Sequence, residues 1–259
     1  MNEVKDELKV PLANLLLSVA DDKFVLGHRN ADWTGLAPIL EEDIAFSSLA
    51  QDELAHASAL YQIAADLLNT KADKLAYGRA PADYRCAQLV ELSDEFDWGI
   101  AIARNFFCDH FDFCRLSRLA NSAYPPVAQL AARLVGEEKI HVDHVDSWIA
   151  RLAKGSPEAK ARIAAALGQL SDLAPMLFEP FEGVEEIEAA GIYPGDTATM
   201  FREWSEQLRR VAAEAGVPLK LGAFDARAMG GRRGRHSEAF PTLLDELTEV
   251  YRIEPEAAW

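Results

Sequence analysis

Residues 53–56 read Glu53-Leu54-Ala55-His56, and residues 138–141 read Glu138-Lys139-Ile140-His141. These two copies of Glu-x-x-His decide the reading of the fold. Residues three apart lie on one face of a helix, so each pair can present a carboxylate and an imidazole to one point. Both faces also carry apolar residues at steps of three and four. Glu53 and His56 fall in the row of Phe46, Leu49 and Leu60, and Glu138 and His141 in the row of Leu130, Leu134, Val145 and Trp148. A charge turned toward a core is costly unless it is paired or bound to a metal. One Glu-x-x-His arises by chance in many chains; two on apolar stripes of long helices do so far less often.

Outward from these pairs, the pattern stays helical nearly throughout, and no segment sustains a period of two. A first helix is expected over 12–30, with the stripe Leu12, Leu16, Val19 and Leu26, followed by the connection Asp32-Trp33-Thr34-Gly35-Leu36-Ala37-Pro38. A second is expected over 39–68, a third over 96–120, and a fourth from Pro125 to Ala153. Proline suits a first helical turn, and Ser156 before Pro157 suits the N-cap of a fifth helix. Further helices are expected over 196–215 and 241–252, around a Gly- and Arg-rich loop over 225–240. The expected fold class is all-α: a ferritin-like four-helix bundle with additional C-terminal helices. One domain is expected over 1–259, with its bundle core at about 12–153 and added helices at about 156–259.

The chain has 259 residues, 49% apolar and 26% charged, with a formal charge of −16. Such an acidic excess argues against non-specific nucleic-acid binding and against docking on anionic lipid. No apolar run approaches the roughly 20 residues needed to span a bilayer. The first ten residues are charged and lack a signal-peptide core, and Cys86, Cys108 and Cys114 lack C-x-x-C spacing, so a cytoplasmic setting is expected.

The Glu-x-x-His spacing is that of a di-iron or di-manganese carboxylate bundle, in which two other helices each add one carboxylate. Asp109 is the candidate on the third helix, in the row Ile102, Phe106, Phe113 and Leu116. On the first helix the inward row passes through Lys23 instead of an acid. Lys23 precedes Glu53 by 30 residues and Asp109 precedes Glu138 by 29, so the two halves read as an internal repeat. An open alternative turns Asp22 or Asp21 inward, which would restore a fourth carboxylate.

The stretches around Glu53 and Glu138, the ending Met229-Gly230-Gly231-Arg232-Arg233-Gly234-Arg235-His236 and the terminal Trp259 resemble the C subunit of phenylacetyl-CoA 1,2-epoxidase, over nearly the whole chain. The resemblance implies a structural, non-catalytic partner of a related A subunit that holds the di-iron centre. It also implies a multi-subunit complex with further components, including a reductase. No cofactor is then expected in this subunit. A homodimer is a further possibility. Where the resemblance implies a Glu in the A subunit, this chain has Lys23.

Charge counting follows. Four carboxylates offset a metal pair, whereas here Glu53, Asp109 and Glu138 would converge with a lysine cation. An ammonium beside a metal would meet a repulsion on the order of 4 kcal/mol per unit charge at 4 Å. The expectation is that Lys23 replaces the metal within a relic network of Glu53, His56, Asp109, Glu138 and His141. Those five residues are the candidate ligands should a metal bind, and the alternative function is an active di-iron oxygenase subunit. Arg232, Arg233 and Arg235 form the one strong basic cluster, expected either as a contact to an acidic partner or CoA phosphates, or as a solvated loop. His28, His110 and His144 are expected as outer or surface groups, Cys108 and Cys114 as packing residues, and Asp97, Trp98 and Asp112 as ordinary surface and packing. Trp259 is expected as an interface anchor or a frayed end.

Overall fold

Acidic residues open the two long N-terminal helices, where they complement the positive end of the helix dipole. Asp6 and Glu7 lie in the first turn of α1 (Asp6–Ala31), and Glu41, Glu42 and Asp43 in that of α2 (Leu40–Leu68). In the computed structural model, which describes residues 4–222 and 230–255, nine further α-helices follow. They are α3 (Ala72–Tyr77), α4 (Gln88–Glu91), α5 (Trp98–Leu119), α6 (Pro125–Ala153), α7 (Pro157–Ser171), α8 (Val184–Ala189), α9 (Thr197–Ala215), α10 (Phe240–Leu247) and α11 (Glu249–Ile253). No strand occurs among the described residues, so the fold is all-α, and its long helices are those of a ferritin-like chain. No helix is long and apolar enough to cross a membrane among the described residues.

The chain divides into two compact units, one drawn from Met1–Leu92, Glu179–Ile187 and Met229–Trp259, the other from Ser93–Phe178 and Glu188–Ala228. The division falls at Leu92, inside the stretch expected to be bundle core. In the first unit α1 and α2 pack along their length, joined by a short connection that makes them antiparallel. From Leu12 to Gly27 only Asn14 escapes burial, so α1 is enclosed on every side. In the second unit α5 packs against α6, α7 and α9. Its buried charges are matched locally: Arg104 with Asp94 at 3.0 Å, and Arg115 with Asp112.

Several local expectations change. Helix α1 begins six residues early and carries Pro11 inside it, at the cost of one backbone hydrogen bond. Gly183, at φ +87°, lies so close to Pro11 that a Cβ there would stand 2.7 Å from the proline ring. Asp97 is not ordinary surface: its carboxylate caps α5 by accepting from Ile100 N at 3.1 Å. Asp112 is buried and paired with Arg115. The helix expected over 241–252 breaks at Thr248, whose hydroxyl donates to Leu244 O at 2.7 Å, a back-bond that bends helices. Ser156 caps α7 as expected, accepting from Ala159 N at 3.1 Å. Residues 225–229 of the expected loop and Trp259 lie outside the described residues.

Candidate functional site

The first unit brings Lys23 of α1 against Glu53 of α2. Lys23 Nζ donates to Glu53 Oε2 at 2.9 Å, with side chains 0% and 1% exposed. His56 is also buried, one turn further along α2. The approach of the helices depends on Gly27, one turn after Lys23. A Cβ there would lie 3.0 Å from Glu53 Cβ, 3.0 Å from Leu54 Cγ and 3.2 Å from Ala50 O. A helix-interior glycine costs roughly 1 kcal/mol relative to alanine, and here it gives α2 room to seat Glu53 against α1.

The two acids preceding Lys23 have other partners. Asp22 receives both ends of the Arg232 guanidinium, at 2.7 Å each, and Ala87 N at 2.8 Å. Asp21 accepts from Tyr61 Oη at 2.5 Å, from Arg85 N at 2.6 Å and from Arg79. Burial, and then the Asp21 charge, push the Tyr61 hydroxyl well above its usual range, which keeps its proton in place as a donor. Neither acid takes the inward position of Lys23, because each is already neutralised by an arginine in its own unit.

The second unit holds the matching triplet. Asp109 of α5 is buried, as are Glu138 and His141 of α6. Their ligating atoms lie within 4.8 Å of one another, and Glu138 Oε1 is 3.9 Å from His141 Nδ1. His110 is buried, and its Nε2 is 2.8 Å from Asp146 Oδ1. Cys108 is buried, and burial pushes the Cys114 thiol up to about 11, which leaves it a poor nucleophile.

The fit of a metal pair can be tested on the Lys23–Glu53 contact. A bridging or terminal carboxylate must offer its oxygens to the metal, but Glu53 Oε2 is already bonded to an ammonium. A cation next to that ammonium would meet direct repulsion in a dry site. The ammonium on Glu53 thus weighs against half of a di-iron centre in the first unit.

The basic cluster has a different use from the one expected. Arg232 is 2% exposed, and its guanidinium also donates to Ser18 O at 3.0 Å and Arg85 O at 2.8 Å. This group is committed to the interior of its own unit and cannot meet a phosphate or partner. Arg233 is half-exposed and donates through Nε to Glu179 Oε1 at 2.9 Å. Arg235 is exposed. The glycines of this stretch let its backbone lie against residues 82–88. A Cβ on Gly231 would collide with the Cys86 carbonyl, and one on Gly234, at φ +73°, with the Ala82 carbonyl.

Sequence reading passes over one cluster in this region. Cys86, Glu91 and His236 place a sulfur, a carboxylate oxygen and a ring nitrogen within 4.8 Å of one another. The signal available was the histidine that ends the Gly-Gly-Arg-Arg-Gly-Arg stretch, but nothing along the chain links it to a cysteine 150 residues away.

Comparison with known proteins adds the following. A family profile described as phenylacetic acid catabolic protein matches residues 1–259. The C subunit of the 1,2-phenylacetyl-CoA epoxidase of Escherichia coli (strain K12) is 28% identical over 244 residues, which cover 94% of this chain and 97% of that protein.

Proposed function

The chain belongs to the phenylacetic acid catabolic protein family, and on that footing we propose that it is a structural, non-catalytic subunit of a multicomponent phenylacetyl-CoA epoxidase. Its partner is the catalytic A subunit, which carries the di-iron centre, and a reductase supplies the electrons. The similarity to a C subunit over nearly the full length of both chains supports the assignment to that role.

The observation that carries the non-catalytic reading is the buried ion pair of Lys23 with Glu53. Dioxygen activation in a carboxylate bundle needs a redox-active metal pair held by carboxylates and histidines. Here the residue in the fourth acid's position is a cation, and its nearest acidic neighbours in sequence are bound to Arg232 and Arg79. We read Lys23, Glu53 and His56, with Asp109, Glu138 and His141, as the two halves of a relic ligand set. In the first unit the Lys23 and Glu53 charges offset each other, and the metal chemistry is left to the partner.

Exposed apolar residues support a partner on the first unit. Leu36, Leu40 and Ile44 are 57%, 69% and 61% exposed around the start of α2. An obligate partnership buries on the order of 2,000 Å² or more and is rich in such residues. The test is co-purification of a tagged chain with the untagged A subunit. Joint elution, with epoxidation of phenylacetyl-CoA only when both chains and the reductase are present, is the expected result. Epoxidation by this chain with reductase alone overturns the reading.

A further inference from the structure

Cys86, Glu91 and His236 lie apart from the relic ligand set, and no part of the proposed function uses them. We propose that they form a zinc(II) site that fastens the segment 230–237 to the segment 84–91 within the first unit. The donor set is a thiol sulfur, a carboxylate and an imidazole, which suits a borderline cation such as zinc and not the all-oxygen cages of magnesium or calcium. Cys86 and Glu91 are 0% exposed and the His236 side chain 5%, so the donors are shielded from bulk solvent.

The distances suit a tetrahedral ion. Cys86 Sγ lies 3.7 Å from Glu91 Oε1 and 3.8 Å from His236 Nδ1. With zinc about 2.3 Å from sulfur and about 2.0–2.1 Å from nitrogen or oxygen, neighbouring ligands in a tetrahedron stand roughly 3.5 Å apart. His236 Nδ1 and Glu91 Oε1 are now 2.6 Å apart, in hydrogen-bond contact. They would separate by less than about 1 Å on taking up the ion. Three protein ligands leave the fourth position to water.

The surroundings orient each donor as outer groups do in built metal sites. His236 Nε2 is 3.2 Å from the Tyr84 carbonyl, a contact that places the ring proton on Nε2 and turns Nδ1 toward the sulfur. The ring stacks on Phe240 with centroids 4.2 Å apart. Ser237 N donates to Glu91 Oε2 at 2.7 Å, so Oε1 is the oxygen that faces the pair. Gly231 and Gly234 bring the chain close enough to residues 82–88 to deliver the histidine. On binding, the thiol proton leaves, together with any proton shared between His236 Nδ1 and Glu91. A thiolate, a carboxylate and a neutral imidazole then balance the ion's two charges.

The experiment uses the full chain and cobalt(II) as the probe, because a cobalt–thiolate bond gives a near-ultraviolet charge-transfer band that oxygen and nitrogen ligands do not. The expected result is that band, its titration to about one equivalent, and its loss when zinc(II) is added. Cys86→Ser should abolish it, and His236→Gln should weaken cobalt binding at least tenfold. If Cys86→Ser does not fold, the wild-type band and the His236→Gln titration still decide. No sulfur band with cobalt in excess, or a band that survives Cys86→Ser, overturns the proposal. Among the described residues this is the one candidate ligand cluster that contains a sulfur, so the outcome stands apart from that of the Lys23 reading.

Discussion

Lys23 Nζ and Glu53 Oε2 meet at 2.9 Å with both side chains sealed from solvent. Such a pair adds little net stability compared with apolar residues of similar volume, because both charges lose their hydration. Removing one partner is another matter, since it strands a buried charge. Lys23→Met is therefore expected to cost roughly 3–5 kcal/mol in urea denaturation. Lys23→Met with Glu53→Leu should cost less than the two single changes summed. Strict additivity in that double-mutant cycle would show that the pair does not couple.

Asp22 and Arg232 make the same argument across 210 positions of sequence. Arg232→Met should destabilise the chain by about 3 kcal/mol or more, because Asp22 would stay buried with its charge uncompensated. Arg210, exposed and paired with Glu214 at 3.0 Å, supplies the contrast. Arg210→Ala should shift stability by no more than about 0.5 kcal/mol. Equal and small effects of both substitutions would return Arg232 to the surface role first expected of it.

His28 gives a pH dependence with a definite sign. Burial pushes its imidazole down from 6.5 to about 4. It lines a cavity of about 110 Å³ with Phe24, Asp73 and Tyr77. The unfolded chain binds the proton near pH 6.5 and the folded chain only near pH 4, so protonation favours unfolding between these values. The stability tied to neutral His28 is fully present above about pH 6.5 and is lost as pH falls toward 4, by up to about 3 kcal/mol. Denaturation midpoints of the native chain and His28→Asn across pH 4–7 check this. The difference between the two proteins should shrink steadily on acidification, and a constant difference would contradict it.

The fold and the burial of the site residues were legible for one reason: helical periodicity reports which face turns inward. It pointed to Lys23 but left Asp22, about 100° around the helix, open as the inward residue, and on a helix enclosed on every side both are buried. It also put Glu53, His56, Asp109, Glu138 and His141 on apolar rows, and all five are buried. Periodicity says nothing about partners distant in sequence. The basic cluster read as surface because arginines in a glycine-rich loop usually are; the acid that buries Arg232 lies on α1. Gly27 carried no visible signal either, since close approach of α2 is a tertiary fact. Helix ends moved where a side chain supplied a cap or a break, as at Asp97 and Thr248.

In the proposed function a lysine ammonium fills the role of the metal pair, and this polypeptide leaves oxygen activation to its partner. The most direct measurement is iron content after anaerobic incubation of the native chain with excess iron(II) and desalting, followed by oxygen uptake with a chemical reductant. The account predicts less than roughly a tenth of an iron per chain and no uptake above buffer, given the repulsion between a cation and the buried ammonium. A retained iron pair with reductant-dependent oxygen consumption would contradict it.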